Sequence, residues 1–315
     1  MGHAVIDRFK VLDDAFRSRA GRGERLHARF AALAALSAPH DIETLIERTF
    51  ELRTRLNEGL GNWRSPSRSM RLVFAAALVA NERSATQFFD ARDALAKRRA
   101  ERGSRALTEG GSCAALALVS AGGHADQADD FYDMLDAIAA PWWRREAARE
   151  EILSAALTAL GETPDEAATR IETVRGTLLS AGIPAHHANA ATYEVALLSP
   201  DGGQIAGAWT CLNLAVRGRT SLRQGLGKTG LAVLSAEGDG HDIADALVRS
   251  FDAVHELRPR PTGQAAAKLA MRLAQAQAGE GSAISATRDL AAILAAQSAA
   301  IAAVASSSAA VAAAS

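Results

Sequence analysis

A run of small apolar residues, centred on Ala-Leu or Ala-Val, recurs through the chain at Ala35-Leu36, Ala77-Leu78, Ala117-Leu118, Ala156-Leu157, Ala196-Leu197, Ala232-Val233 and Ala270-Met271. Successive copies lie 42, 40, 39, 40, 36 and 38 residues apart, a period within the range of helical solenoids. Each copy closes one helical pattern, a polar turn follows, and a second helical pattern comes after it. The unit therefore reads as a helix hairpin. A hairpin cannot bury its apolar face alone, so such units stack on their neighbours, and this decides the fold more than any other feature of the sequence.

The second helix of each unit carries one apolar stripe at helical spacing: Ile42, Leu45, Ile46 and Phe50; Phe88, Phe89 and Leu95; Phe131, Leu135 and Ile138; Ile171, Val174 and Leu178; Ile205, Trp209 and Leu212; Ile243, Leu247, Phe251 and Val254. Asp41 stands where its carboxylate can accept from the open N–H groups at the start of the first of them. No stretch alternates β-branched and polar residues, and alanine dominates the helical segments. The expected fold class is all-α, an α-solenoid of about six antiparallel hairpins over residues 24–280. Ile6, Phe9, Leu12 and Phe16 predict an N-terminal capping helix within 1–23. Residues 281–315, rich in Ala and Ser, predict a C-terminal capping helix or tail.

In that tail no charge follows Asp289, yet Gln297 and the abundance of Ala and Ser leave little to gain in lipid, so no membrane span is expected. Leu290, Leu294, Gln297, Ile301, Val304, Ser308 and Val311 alternate steps of four and three, which predicts self-association through 287–315. Cys113 and Cys211 lie far apart inside apolar helical patterns, the pattern of buried thiols in a reducing compartment, and no secretory segment opens the chain. The expected location is cytoplasmic.

Formal net charge is only −1, so a bulk attraction to nucleic acid is not expected, but the charges are sorted by position in the repeat. Turns inside hairpins are acidic: Asp41 and Glu43; Asp126, Asp129 and Asp130; Glu162, Asp165 and Glu166; Asp201; Glu237, Asp239 and Asp242. Turns between hairpins are basic: Arg64, Arg68 and Arg71; Arg98, Arg99, Arg102 and Arg105; Arg144, Arg145 and Arg149; Arg217, Arg219, Arg223 and Lys228; Arg258 and Arg260. Helix-dipole matching explains the second helices, whose acids precede and bases follow them, and not the first, where the order is reversed. Trp63, Trp142 and Trp143 stand among the basic turns, and Trp with Arg is the composition of binding hot spots. The candidate surface is Trp63, Arg64, Arg68, Trp142, Trp143, Arg144, Arg145, Arg219 and Arg223. The expected role is a scaffold or binding module for an acidic protein partner, with RNA or another polyanion as the alternative at the same edge.

Asp129-Asp130-Phe131-Tyr132-Asp133 spells DDxxD, similar to the magnesium-binding signature of all-α terpenoid and prenyl-transfer enzymes. That resemblance implies carboxylates holding Mg²⁺ against a diphosphate. It covers five residues and no second acidic motif has the required spacing, so Asp129, Asp130 and Asp133 read as acids of a helix start, with no cofactor expected; an all-α Mg²⁺-dependent enzyme acting on a diphosphate substrate through these three residues is the alternative class. Gly225-Leu226-Gly227-Lys228-Thr229 is similar to a phosphate-binding P-loop, but the required first glycine is Leu222 and no strand precedes it. His186 and His187, with Glu194 two turns on, form a polar face on a later helix.

The run Asn62-Trp63-Arg64-Ser65-Pro66-Ser67-Arg68-Ser69, entering an alanine-rich helix and followed by repeats of about forty residues, resembles the bacterial helical proteins grouped as domain of unknown function 4003. The similarity spans roughly residues 25 to 280 and rests on the Trp-x-Ser-Pro turn. It implies an all-helical fold and carries no activity or site residues.

Overall fold

The computed structural model describes residues 2–198 and 202–278; Asp201 and the expected tail helix over 281–315, with its association seam, lie outside the described residues. Fourteen α-helices and short 3₁₀ turns make up the fold, with no strand among the described residues. In chain order the helices are α1 Gly2–Arg19, α2 Arg25–Ala34, α3 Ile42–Gly59, α4 Met70–Ala80, α5 Ala85–Arg102, α6 Ser112–Ser120, α7 Ala128–Ile138, α8 Ala147–Ala159, α9 Pro164–Ser180, α10 Ala185–Val195, α11 Gly202–Ala215, α12 Thr220–Leu234, α13 Gly240–Glu256 and α14 Gly263–Ala278. The all-α repeat predicted from the period is present.

The two helices of each repeat differ in kind. The Ala-Leu helices are the more deeply buried of the two, and in the first repeats they are buried on every side: all residues of α4 from Met70 to Val79, and all of α6, are shielded from solvent. Their partners are longer and bury one stripe, such as Ala167, Ile171, Val174 and Leu178 in α9. Two concentric layers follow from this difference. The even-numbered helices pack in succession, α2 on α4, α4 on α6 and so on to α12 on α14, while the odd-numbered helices form an outer layer.

The array closes on itself: α14 packs on α2, and α1 packs on both α13 and α14 as well as on α2 and α3. The helix expected to cap an open N-terminal end therefore caps nothing, because the ring has no open end there. Together α1 and α14 supply a seventh inner and outer pair beside the six hairpins of α2–α13. Charged contacts cross this seam. Arg17 donates to the Arg258 carbonyl at 2.7 Å, Arg29 donates to the Pro259 carbonyl, and Lys10 pairs with Glu256 at 2.8 Å. Asp13, fully buried, lies 2.9 Å from Arg17 and 3.4 Å from Arg29. Burial pushes the Asp13 carboxyl up from its ordinary value, with both arginines opposing the shift.

Turns from inner to outer helices lie at one end of the ring, and many of their acids act as caps. The Thr44 N–H donates to Asp41 at 3.0 Å, and the His241 and Asp242 N–H groups donate to Asp239. Those backbone donors hold both carboxyls below the usual range. Ser84 with Gln87 and Thr163 with Glu166 form capping boxes at α5 and α9.

Candidate binding end of the ring

Because successive helices alternate in direction, every segment returning from an outer to an inner helix emerges at the end opposite the acidic caps. The segments between α3 and α4, between α5 and α6, and between α7 and α8 are the long ones, and buried charges hold all three. Arg71, at the second position of α4, is only 2% exposed. Its guanidinium donates to the Gly61 carbonyl at 2.6 Å, the Pro66 carbonyl at 3.1 Å and Asn57 Oδ1 at 3.4 Å, so it is the internal brace of the 61–69 segment. Its place among the basic turns predicts a surface charge, and the fold of its own segment buries it instead. A basic residue opening a helix that is otherwise wholly apolar is the signal that marks it as an anchor.

Arg64 adopts a left-handed backbone, φ 50°, and its carbonyl comes so close to Gly110 that a Cβ there would lie 2.6 Å from it. Only glycine fits, and the 61–69 and 103–111 segments rest on each other as a result. Arg92 donates to Ser112 at 3.1 Å, tying α5 to the start of α6. On α8, Glu150 and Glu151 are both fully buried. Glu151 accepts from the Thr108 N–H at 2.9 Å and from Arg105 at 3.0 Å. Glu150 accepts from the Ala140 and Glu146 N–H groups and from the Tyr193 hydroxyl. Burial pushes the Glu151 carboxyl up, with the Thr108 and Arg105 donors opposing it, and burial with the facing Glu150 pushes the Tyr193 phenol up.

On this braced frame Trp63 and Trp142 are 86% and 80% exposed. Arg64, Arg68, Arg144 and Arg223 are exposed, with no carboxylate within ion-pair distance among the described residues. Trp143 belongs to the same short turn, Trp142–Arg144. Two members of the expected set are already engaged. Arg219 pairs with Asp252 at 3.3 Å, and Arg145 leans inward to 3.8 Å from Glu150. The basic residues of α5 also differ from the expectation, since Arg98 and Arg102 turn sideways to α7 instead of standing free.

That sideways turn decides the placement of the DDxxD stretch. Asp129 pairs with Arg98, while Asp133 and Asp136 lie 2.7 and 3.1 Å from Arg102. These carboxylates form a solvent-facing ion-pair row on the outer layer. Among the described residues no three His, Cys, Asp or Glu side chains are grouped to hold a metal ion.

Inside the same end lies a cavity of about 510 Å³ between the start of α8, the end of α10, the middle of α12 and the first half of α14. Four cations line it, Arg145, Arg149, Lys268 and Arg272, against two carboxylates, Glu146 and Glu194. Glu194 accepts from Arg272 at 2.9 Å and from Arg149 at 3.4 Å. Burial alone would raise its carboxyl, but the two arginines outweigh burial and hold it below the usual range. The Gly225–Gly230 stretch, similar in sequence to a phosphate loop, forms the α12 wall. Gly227, φ 62° and ψ 179°, breaks the helix, and Gly225 lets α12 approach α14 so closely that a Cβ would lie 2.5 Å from that of Ala267. Lys268 and Arg272 escaped the sequence reading because they sit inside an alanine-rich helix far from any turn. His187 faces Thr229 at 3.0 Å.

No protein-family model matches the chain, and neither a curated protein nor a solved structure is significantly similar to it. The molecule is therefore defined by what it displays: a closed, two-layered ring of helical hairpins with an acid-capped end and an arginine-tryptophan end. No described helix is long and apolar enough to cross a membrane.

Proposed function

We propose that this protein is a binding module whose arginine-tryptophan end receives an acidic protein partner. The observation that carries the reading is the pair Trp63 and Trp142, each at least 80% exposed, on segments held by buried Arg71 and Glu150. Leaving large aromatic rings in water on a rigid frame forgoes about 25 cal/mol per Å² of apolar burial, while preorganisation removes much of the ordering cost of association. Exposed arginines beside the rings supply forks for carboxylates. The reading extends to a cytoplasmic setting, with which two cysteines not joined in a disulfide agree. Its kinship with the domain of unknown function 4003 proteins remains part of the proposal and adds no activity.

The test compares wild type with a Trp63→Ala, Arg64→Ala, Trp142→Ala, Arg144→Ala variant. Each is used to capture partners from native lysate, and the captured species is then purified and titrated. An acidic protein that binds wild type at least a hundredfold more tightly than the variant, with both chains equally stable, supports the reading. Capture of RNA, with affinity falling steeply as salt rises, would replace it with the polyanion alternative. Equal binding to both chains overturns it.

A further inference from the structure

We propose that the outward face of α11 is the docking site for a segment of this same chain, residues 290–304. Every other outer helix turns charged side chains to solvent, such as Glu47 and Arg48 on α3 or Asp242 and Asp245 on α13. Helix α11 carries no charged residue from Gly202 to Ala215. It exposes Ala206, Gly207, Thr210 and Leu214, the last 61% exposed, with Trp209 half-buried beside them. A helix without a charged face is ordinarily covered, and packing on α9, α12 and α13 covers α11 on its inner side and flanks alone.

Chemistry, position and reach favour this occupant. From Leu290 to Ser315 the chain again has no charge, and Leu290, Leu294, Ile301 and Val304 recur at helical spacing among Ala and Ser. Seating that segment on α11 desolvates no ion on either side. Ala278, where α14 ends, lines one cleft with Asp239 and Asp242. Gly240, between those two acids, is pressed so closely on α11 that a Cβ would lie 2.7 Å from Ala208 Cα. The chain therefore leaves α14 one helix away from the middle of α11. Residues 279–289 can extend over roughly 36 Å, enough to cross the width of α13, about 10 Å. As a helix, 290–304 would run about 22 Å, against about 21 Å for the 14 residues of α11. The small side chains of Ala206 and Gly207 allow close approach of an alanine-rich helix, and Leu214 offers it an apolar contact. A tether this short sets an effective concentration in the millimolar range, which favours the chain's own segment over a second copy.

Maleimide labelling of Thr210→Cys, in the full chain carrying Cys113→Ala and Cys211→Ser, reads the face directly, with Thr86→Cys, exposed on α5, as the reference site. Adding Leu294→Asp and Ile301→Asp should raise the Thr210→Cys rate at least fivefold and leave the Thr86→Cys rate unchanged. Protection of Thr210→Cys should be the same over a hundredfold range of protein concentration, as a tethered occupant requires. Amide exchange gives a second reading without cysteine substitutions: the two aspartates should speed exchange in α11 and leave α3 and α5 unchanged, with thermal unfolding checking that the ring is folded. Equal Thr210→Cys rates with and without the aspartates, or equal exchange in α11, overturns the proposal. Protection that grows with protein concentration assigns the face to a second copy and overturns it as well. None of these outcomes depends on the tryptophan surface.

Discussion

Replacing Asp13 by alanine removes the fully buried carboxylate beside the seam while leaving Arg29, 3% exposed, in place. Arg29 then keeps the Pro259 carbonyl and loses its counter-ion. Breaking a buried pair from one side costs about 3–5 kcal/mol, because the remaining charge stays desolvated. For a chain of this size about 2 °C of melting temperature accompanies each kcal/mol, so a drop of roughly 6–10 °C is expected. Arg17 adds little to that loss, since it retains Asp14 at 3.0 Å and the Arg258 carbonyl. The double variant Asp13→Leu, Arg29→Met removes both charges and should recover most of the lost stability. Calorimetry at neutral pH with a double-mutant cycle reads both effects. A single-variant loss under about 1 kcal/mol, or a double variant merely additive, would refute the view that this pair is buried and coupled behind the seam.

Other consequences can be checked in the same way. Arg71→Met should cost about 2–4 kcal/mol through orphaned carbonyls, and should speed amide exchange across 61–69 well before the α4 core opens. Gly110→Ala combines positive φ with a 2.6 Å approach to the Arg64 carbonyl, whereas Gly103, φ 65°, has open space around it. The first substitution should lower stability about 1–3 kcal/mol more than Gly103→Ala in urea titrations. Glu194 has its folded carboxyl held below the unfolded value, so its contribution is complete above about pH 4.5 and is lost as pH falls through the folded value. Glu194→Gln should accordingly cost more stability at pH 6 than at pH 3, and an equal cost at both would remove the Arg272 and Arg149 pairing from the account.

The sequence carried the helices and their two kinds because burial on one side or on all sides leaves different periodic marks. The stripe at Ile243, Leu247, Phe251 and Val254 and the small-residue run at Ala77-Leu78 carry those marks in the sequence itself. Closure was not written there, since it depends on a small rotation accumulated at each packing step, and the residues that meet at the seam, Arg17 and Arg258, are 241 positions apart. The candidate surface was partly legible. Trp63 and Trp142 announced themselves as aromatic residues in basic turns, but nothing local distinguishes exposed Arg64 from buried Arg71, whose burial follows from the fold of its own segment. The Arg98 and Arg102 pairs with α7 likewise depend on the lateral packing of outer helices. The cavity was hidden for the same reason, since Arg149, Glu194, Gly227 and Arg272 come from four helices that only the ring brings together.

Ring closure gathers the tryptophan segments and the cavity at one end, so it is best tested by a distance. With Cys113→Ala and Cys211→Ser as background, spin labels at Lys10→Cys and Glu256→Cys report across the seam, where the native side chains lie 2.8 Å apart. Double electron-electron resonance should give a modal distance within about 20 Å, allowing for the reach of two labels beyond helices packed at roughly 10 Å. An open row of seven pairs stepping about 10 Å each would separate these positions by roughly 60 Å, and a distribution centred there would contradict the closed ring.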